Sequence, residues 1–186
     1  MYIIGGVNRG SKLVACASKA VRPTAQRTRE ALFNILQGGR FSLSLNGATV
    51  IDLFAGTGAI GLEALSRGAG SCVFVEQDWD ALQTLQANIS KLRLQDCAHI
   101  LAKDARQIHS WADPRADLVF VDPPYDSSLA EEGLNQLVAA NAVNHQALIV
   151  VETRKTDNYQ FGPEFVLADS RVYGIARLNF FTLADR

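Results

Sequence analysis

An aspartate followed by two prolines and a tyrosine, Asp122-Pro123-Pro124-Tyr125, has the residue types that could do chemistry at fixed spacing. The prolines set φ at 123 and 124, and Pro124 also keeps Pro123 out of the α region, so the loop is held extended and stiff. On such a loop the Asp122 carboxylate and the Pro123 carbonyl are two acceptors suited to an exocyclic amine on an aromatic base. That amine is a poor nucleophile because its lone pair is delocalised into the ring. Hydrogen bonds accepted from its protons would hold the nitrogen lone pair towards an electrophile. The Tyr125 ring offers a face on which a flipped-out or unpaired base can stack, a contact worth about 1 to 3 kcal/mol. Taken alone, the tetrapeptide could also be an ordinary turn, so its meaning depends on what surrounds it.

The run Val50-Ile51-Asp52-Leu53-Phe54-Ala55-Gly56-Thr57-Gly58-Ala59-Ile60-Gly61 has the form of a strand, a glycine turn and a helix start. That arrangement puts a ligand at the carboxyl edge of a sheet, with Gly56 and Gly58 allowing the backbone to come close. Gly56-x-Gly58-x-x-Gly61 is also a dinucleotide fingerprint, and Glu76 stands where a ribose-binding acid would be expected, so the glycines do not choose between cofactors. The acids at successive strand ends, Asp52, Glu76, Asp104 and Asp122, do. They would repel a pyrophosphate, whereas S-adenosylmethionine carries a sulfonium and an ammonium that carboxylates stabilise. Glu76 can accept from both ribose hydroxyls and Asp104 from the adenine amine. Each acid singly could be a solvated loop carboxylate; together with the proline loop they point to methyl transfer onto a base amine.

The elements that must position these residues can be read from hydrophobic runs. Residues 49–53, 72–75, 99–101, 117–121 and 148–151 are short, β-branched and apolar at consecutive positions, as expected of strands covered on both faces. Helical spacing separates them, clearest at Leu82, Leu85, Ile89 and Leu92, with further helices after Gly58 and Leu129. Alternating strands and helices predict an α/β fold, a doubly wound, mostly parallel seven-stranded sheet. Residues 165–167 and 177–183 flank Tyr173-Gly174 too closely for a crossover helix and should close the sheet as an antiparallel hairpin. Ahead of the sheet, Pro23-Thr24 opens a helix through Leu36, stopped by Gly38-Gly39. Its apolar face is Ala31, Leu32, Ile35 and Leu36, with Arg27, Glu30 and Asn34 turned away. Ile3 to Val14, turning at Asn8-Arg9-Gly10, is expected to form a small hairpin. The division expected is an N-terminal basic extension, 1–45, and a catalytic domain, 46–186.

The formal net charge of −1 conceals a segregation: residues 1–40 hold seven basic side chains against the single Glu30, a net of +6, leaving −7 for the remainder. A basic arm ahead of an acidic body suits phosphate contacts, although a solvated basic surface would look the same. Cys16, Cys72 and Cys97 lack the paired spacing of metal or redox motifs, so reduced thiols and no metal are expected. No apolar run approaches the ~20 residues of a membrane span, and the opening residues lack the form of a leader, so a cytoplasmic protein is expected.

Longer strings carry a family resemblance. Arg22-Pro23-Thr24-x-x-Arg27-x-Arg29-Glu30-Ala31-Leu32-Phe33-Asn34-Ile35-Leu36, Asp52 to Gly58, Gly61-Leu62-Glu63-Ala64-Leu65-Ser66-Arg67-Gly68-Ala69, Val151-Glu152 and Tyr173-Gly174 closely resemble the bacterial small-subunit ribosomal RNA guanine-N2 methyltransferase family, RsmD. The resemblance covers nearly the whole chain. It implies a class I methyltransferase fold and methylation of one guanine N2 in 16S ribosomal RNA within the assembling small subunit, with possible ribosomal protein contacts. Asp122, Pro123 and Tyr125 would be catalytic; Asp52, Phe54, Gly56, Gly58, Glu76, Gln77, Asp104, Ala105 and Asp122 would hold S-adenosylmethionine and its product S-adenosylhomocysteine. The N-terminal segment would close over the cofactor, with Arg22 and Thr24 near the methionine or the base, and Arg9, Arg27 and Arg29 on RNA phosphates. Oligomeric state is not legible, and a monomer is the default.

Three rivals remain open at this point. A DNA adenine-N6 methyltransferase shares the Asp-Pro-Pro-Tyr loop, but about 40 residues ahead of the sheet leave little room for a sequence-reading module, so a shaped RNA is the better substrate. A nicotinamide-dependent oxidoreductase is permitted by the glycine spacing, and a non-catalytic RNA-binding module would not need Asp122 and Tyr125.

Overall fold

The computed structural model describes residues 1–15, 23–123, 127–157 and 161–184. Eleven regular elements follow one another: α1 (Pro23–Gln37), β1 (Thr49–Leu53), α2 (Ala59–Ser66), β2 (Ser71–Glu76), α3 (Trp79–Leu92), β3 (Ala98–Ala102), β4 (Ala116–Val121), α4 (Ser127–Ala139), β5 (Val143–Arg154), β6 (Phe165–Tyr173) and β7 (Ala176–Leu183), with a 3-10 turn at Ala105–Gln107. The strands form a seven-stranded sheet in the order β3-β2-β1-β4-β5-β7-β6. β1 to β5 pair in parallel, and β7 is antiparallel to both β5 and β6.

Consecutive apolar residues in the strands serve two faces because neighbouring side chains on a strand point oppositely. Val50, Cys72, Phe74, Leu118, Phe120 and Val150 join Leu62, Leu85, Ile89 and residues of α1 in one core. Ile51, Leu53, Val73, Val119, Val121 and Ile149 join Ala130, Leu134 and Leu137 of α4 in the other. The continuous hydrophobic runs are therefore those of a sheet buried between helices. The register pairs Leu53 of β1 with Val121 of β4, so the chain leaves both strands side by side where the strand order reverses. That crevice, outside the carboxyl ends, is where an open α/β sheet takes its ligand.

Three expectations need correction. The small hairpin at 3–14 has a single antiparallel bridge, Tyr2↔Lys12, and is held mostly by turn hydrogen bonds such as Ile3 N to Ser11 O at 3.0 Å. β5 starts at Val143, five residues before the apolar run, because the exposed His145 and Gln146 break the pattern although their backbone is extended. In α1 the buried face also includes Thr28, Arg29 and Phe33, so it is wider than the four apolar residues expected.

The described part of residues 1–45 shares a core with the sheet, through Ile3, Leu13, Leu32, Phe33, Leu36 and Leu45. Among the described residues, no helix is long and apolar enough to cross a membrane, and no cluster of His, Cys, Asp or Glu could hold a metal ion. Cys72 is buried, which pushes its thiol well above the usual range, and Cys97 is also a free thiol; Cys16 lies outside the described residues.

Candidate active site

The glycine turn is shaped by its own backbone before any ligand arrives. Phe54, Gly56 and Gly58 all have positive φ, at 71°, 56° and 79°. The backbone N–H groups of Phe54 and Ala55 both donate to Val75 O, at 3.1 and 2.9 Å, which lays the turn across the end of β2. Glu76 then clamps it: Oε2 accepts from Gly56 N at 2.7 Å, and Oε1 accepts from Gln77 N and Asp78 N at 2.8 and 2.9 Å. Asp52, 2% exposed, accepts from Gly61 N at 2.9 Å and ties the end of β1 to the first turn of α2. Burial is the main reason that the Asp52 carboxyl is pushed up to about 7; the Gly61 hydrogen bond opposes this, and the charges of Asp122 and Glu76 add to it.

The two glycines expected to admit a ligand do different things. A Cβ on Gly56 would point into open space, which leaves room beside the turn, whereas one on Gly58 would run into Leu85. Gly58 is required by its left-handed φ and by core packing. Only Gly56 has the close-approach geometry.

Asp104 opens the 3-10 turn and is already partnered. Arg106 Nη2 lies 2.6 Å from Asp104 Oδ2 and its Nε 3.0 Å from Oδ1, while Arg106 N donates to Oδ1 at 2.9 Å. The side-chain hydrogen bond from Arg106 leads the causes that hold the Asp104 carboxyl below its usual range. The row of four acids read from sequence thus includes one that a neighbouring cation neutralises. Ala105 is buried behind it and Gln77 is exposed at the crevice.

Asp122 and Pro123 leave β4 next to this turn, with Asp122 exposed and Pro123 partly covered. Pro124, Tyr125 and Arg22, and the side chain of Thr24, lie outside the described residues. Beside Asp122 stands an acid to which the residue-by-residue reading gave no role. Val121 of β4 pairs with Val151 of β5, which brings Glu152 level with Asp122 on the next strand. Both line a small cavity walled by Leu32, Ile60 and Phe120. Burial, and secondarily the charge of Asp122, push the Glu152 carboxyl up to about 8. The available signal was a charge placed directly after the apolar run of β5.

Of the three arginines expected on RNA, Arg9 and Arg27 are exposed. Arg29 is 4% exposed and faces inward, which corrects its assignment to phosphates. Its Nη2 donates to Tyr2 O at 2.7 Å, Nη1 lies 3.1 Å from Met1 Sδ, and Nε lies 3.9 Å from Glu63 Oε2. Burial lowers the guanidinium pKa against the support of Glu63. The helix turns this residue towards the N-terminal loop, so its charge organises that loop internally. Glu63 and Asn88, both fully buried and unread as functional, hold the same loop from α2 and α3.

The family model described as conserved hypothetical protein 95 matches residues 1–182. The ribosomal RNA small subunit methyltransferase D of Haemophilus influenzae is 33% identical over 183 residues, covering 96% of this chain and 92% of that one. The solved structure of yhhF from Escherichia coli is 31% identical, covers 100% of this chain and 99% of that chain, and superposes with a TM-score of 0.84. A Thermus thermophilus 16S rRNA N2 methyltransferase, RsmC, in complex with AdoMet and guanosine shares the fold at 21% identity and a TM-score of 0.66, over 90% of this chain and 45% of that one.

Proposed function

This chain belongs to the conserved hypothetical protein 95 family, the RsmD family of ribosomal RNA methyltransferases, and we propose that it moves a methyl group from S-adenosylmethionine to the exocyclic N2 amine of one guanine in 16S ribosomal RNA. The observation that carries this reading is the pairing of Leu53 with Val121, because it sets the glycine turn and the Asp122-Pro123 loop at neighbouring exits from the sheet. A cofactor beside the first would have its reactive end beside the second.

The residues of the turn fit a cationic nucleoside cofactor. Gly56 has free space where a side chain would stand, its N–H is held by Glu76, and the charges of Asp52, Glu76 and Asp122 lie close enough to act on one another. The same geometry speaks against a dinucleotide. A pyrophosphate would need backbone N–H donors at the turn and helix start, and here Gly56 N is engaged by Glu76 and Gly61 N by Asp52. When bound, S-adenosylmethionine supplies an electrophilic methyl group on sulfur. The Asp122 carboxylate and Pro123 carbonyl accept from the amine protons and hold the nitrogen lone pair in line with that methyl. Asp122 is also placed to take the proton the amine sheds once methylated. Tyr125 stacks on the base. Residues 1–45 act as the lid over cofactor and base, Arg9 and Arg27 meet phosphates, and the substrate is the RNA of an assembling small subunit, with ribosomal proteins as neighbours and the enzyme as a monomer.

The test combines a substrate and a variant. Small subunits from a strain lacking the protein are incubated with it and labelled S-adenosylmethionine, and the modified nucleotide is mapped by mass spectrometry; N2-methylguanine at a single position is expected. Asp122→Ala should reduce turnover by about 100-fold or more while leaving S-adenosylhomocysteine affinity within a few-fold. Label on adenine, or an Asp122→Ala protein of near-normal turnover, overturns the reading.

A further inference from the structure

Glu152 is an acid without an assigned task in a place where acids are costly. It lies level with Asp122 on the neighbouring parallel strand, so the two backbones are about 4.8 Å apart and both residues line one small cavity. The other residues lining that cavity, Leu32 from α1, Ile60 from α2, Phe120 and Val121 from β4, Val150 from β5 and Leu178 from β7, are apolar. Across the sheet from Glu152 stands Leu178 of β7. Among the described residues no cation and no hydrogen-bond donor pairs with the Glu152 carboxylate; burial and the charge of Asp122 both work against its ionisation. A carboxylate half-buried beside another acid, without a partner among the described residues, destabilises the fold unless something else is gained. Two adjacent carboxylates in an apolar cavity make a receptor for a group with two adjacent N–H donors.

Three nucleobases carry an exocyclic amine, and their neighbouring ring atoms differ. Beside the amine of adenine or cytosine is a ring nitrogen with a lone pair, an acceptor that a carboxylate repels. Beside N2 of guanine is N1–H, a donor. We propose that Glu152 selects guanine, its carboxylate accepting from N1–H while Asp122 holds the N2 amine to be methylated. This rests on the reading of the protein as a base-amine methyltransferase and adds the residue that decides which base is taken. A site built to accept that hydrogen bond discriminates strongly, because an analogue lacking the donor leaves the buried carboxylate facing a lone pair. The N1–H donor of a bound guanine favours the ionised carboxylate that the empty site disfavours; one competing assignment uses the same atoms, a Glu152 that keeps its proton with the base bound, which would donate to a ring nitrogen and prefer the adenine type of edge.

The two are separated by a pair of nucleosides. 2-Aminopurine riboside keeps the amine at C2 but has an acceptor at N1 and no O6. Guanosine and 2-aminopurine riboside are titrated into the protein saturated with S-adenosylhomocysteine, by calorimetry and by the fluorescence of 2-aminopurine. Wild type should bind guanosine at least tenfold more tightly. Glu152→Gln, whose amide can donate to N1, should shrink or invert that ratio, and Glu152→Ala should abolish it without inverting it; neither substitution adds bulk or charge to the core. A wild-type preference for 2-aminopurine riboside, or a ratio unchanged in both variants, overturns the proposal while leaving methyl transfer to guanine intact. Failure of both nucleosides to bind wild type also overturns it. Absence of any methylated base in small subunits, read separately, removes the underlying activity and the proposal with it.

Discussion

Glu63, wholly buried in α2, accepts the backbone N–H of Gly5 at 2.8 Å and, through its other oxygen, that of Ile4 at 2.7 Å. Arg67 Nε closes the same carboxylate at 2.7 Å, one helical turn on. An N-terminal segment that reads in sequence as a basic arm is therefore seated on the catalytic fold by a buried acid, and Asn88 repeats the device at Val14, accepting from its N at 2.7 Å and donating to its O at 3.2 Å.

Glu63→Ala leaves two backbone donors and a buried guanidinium without their acceptor. Unsatisfied donors and an unpaired buried charge each destabilise by about 1 to 3 kcal/mol, so a loss of about 3 kcal/mol in urea unfolding is expected, with Glu63→Gln losing less. Fluorescence-monitored denaturation measures it. A change under about 0.5 kcal/mol would mean that the loop docks by its apolar residues alone.

The two turn glycines should fail in opposite ways. Gly58→Ala meets both a left-handed φ and the Leu85 side chain, so it should cost stability by about 1 to 3 kcal/mol. Gly56→Ala meets a left-handed φ alone, about 1 to 2 kcal/mol, and its methyl group enters the space assigned to the cofactor. Affinity for S-adenosylhomocysteine, measured by calorimetry at a temperature where both variants are folded, should fall at least tenfold for Gly56→Ala and much less for Gly58→Ala. Equal losses would put the cofactor elsewhere along the turn.

Legibility followed the strength of the local signal. Most of the parallel strands could be read because burial on both faces keeps the run nearly all apolar, as in Val119, Phe120 and Val121 of β4, whereas the edge strand β3 exposes His99 and was legible only as a short apolar run. The first five residues of β5 are less apolar, exposing His145 and Gln146, and so hid its true start. Asp52 and Asp122 could be located because each closes such a run ahead of a glycine turn or a proline, and Glu76 because it ends the next run at the spacing after Gly56 expected of a ribose-binding acid. Glu152 could not be given a role, because its meaning comes from the register of β5 against β4. Arg29 was misread for a related reason: two positions along a helix, about half a turn, decide whether a cation meets solvent or a buried glutamate, and nothing in its neighbours in sequence names Glu63.

That difference between arginines can be measured. Arg27, exposed on α1, is a candidate phosphate contact, so Arg27→Glu should weaken RNA binding and lower the slope of log K against log salt by about 1. Arg29→Ala should instead leave the slope unchanged and lower unfolding free energy by about 1 to 3 kcal/mol, since it removes a buried side chain that donates to Tyr2 O and supports the charge of Glu63. Filter binding across a salt series and denaturation of the same two proteins separate these outcomes. A reduced slope for Arg29→Ala would return that residue to the RNA surface.

The two raised carboxyls make stability depend on pH in a stated direction. Asp52 is pushed from 3.8 to about 7 and Glu152 from 4.5 to about 8, so between those limits the folded chain binds more protons than the unfolded one. Stability from these groups is therefore complete below pH 4 and is lost as pH rises to about 8. Asp122 faces Glu152 from β4, and the residues around it from α1, α2 and β7 are Leu32, Ile60 and Leu178, which do not titrate. Glu152→Gln removes one of the two contributions without adding charge. The variant should match wild type near pH 4.5 and exceed it at pH 8.5 by on the order of 1 to 3 kcal/mol, a discounted conversion of a shift of this size. Denaturant titrations of both proteins at the two pH values give the difference directly. A gap that does not widen with pH would mean that Glu152 is already ionised and paired in the folded chain, and that the cavity beside Asp122 is more polar than its walls imply.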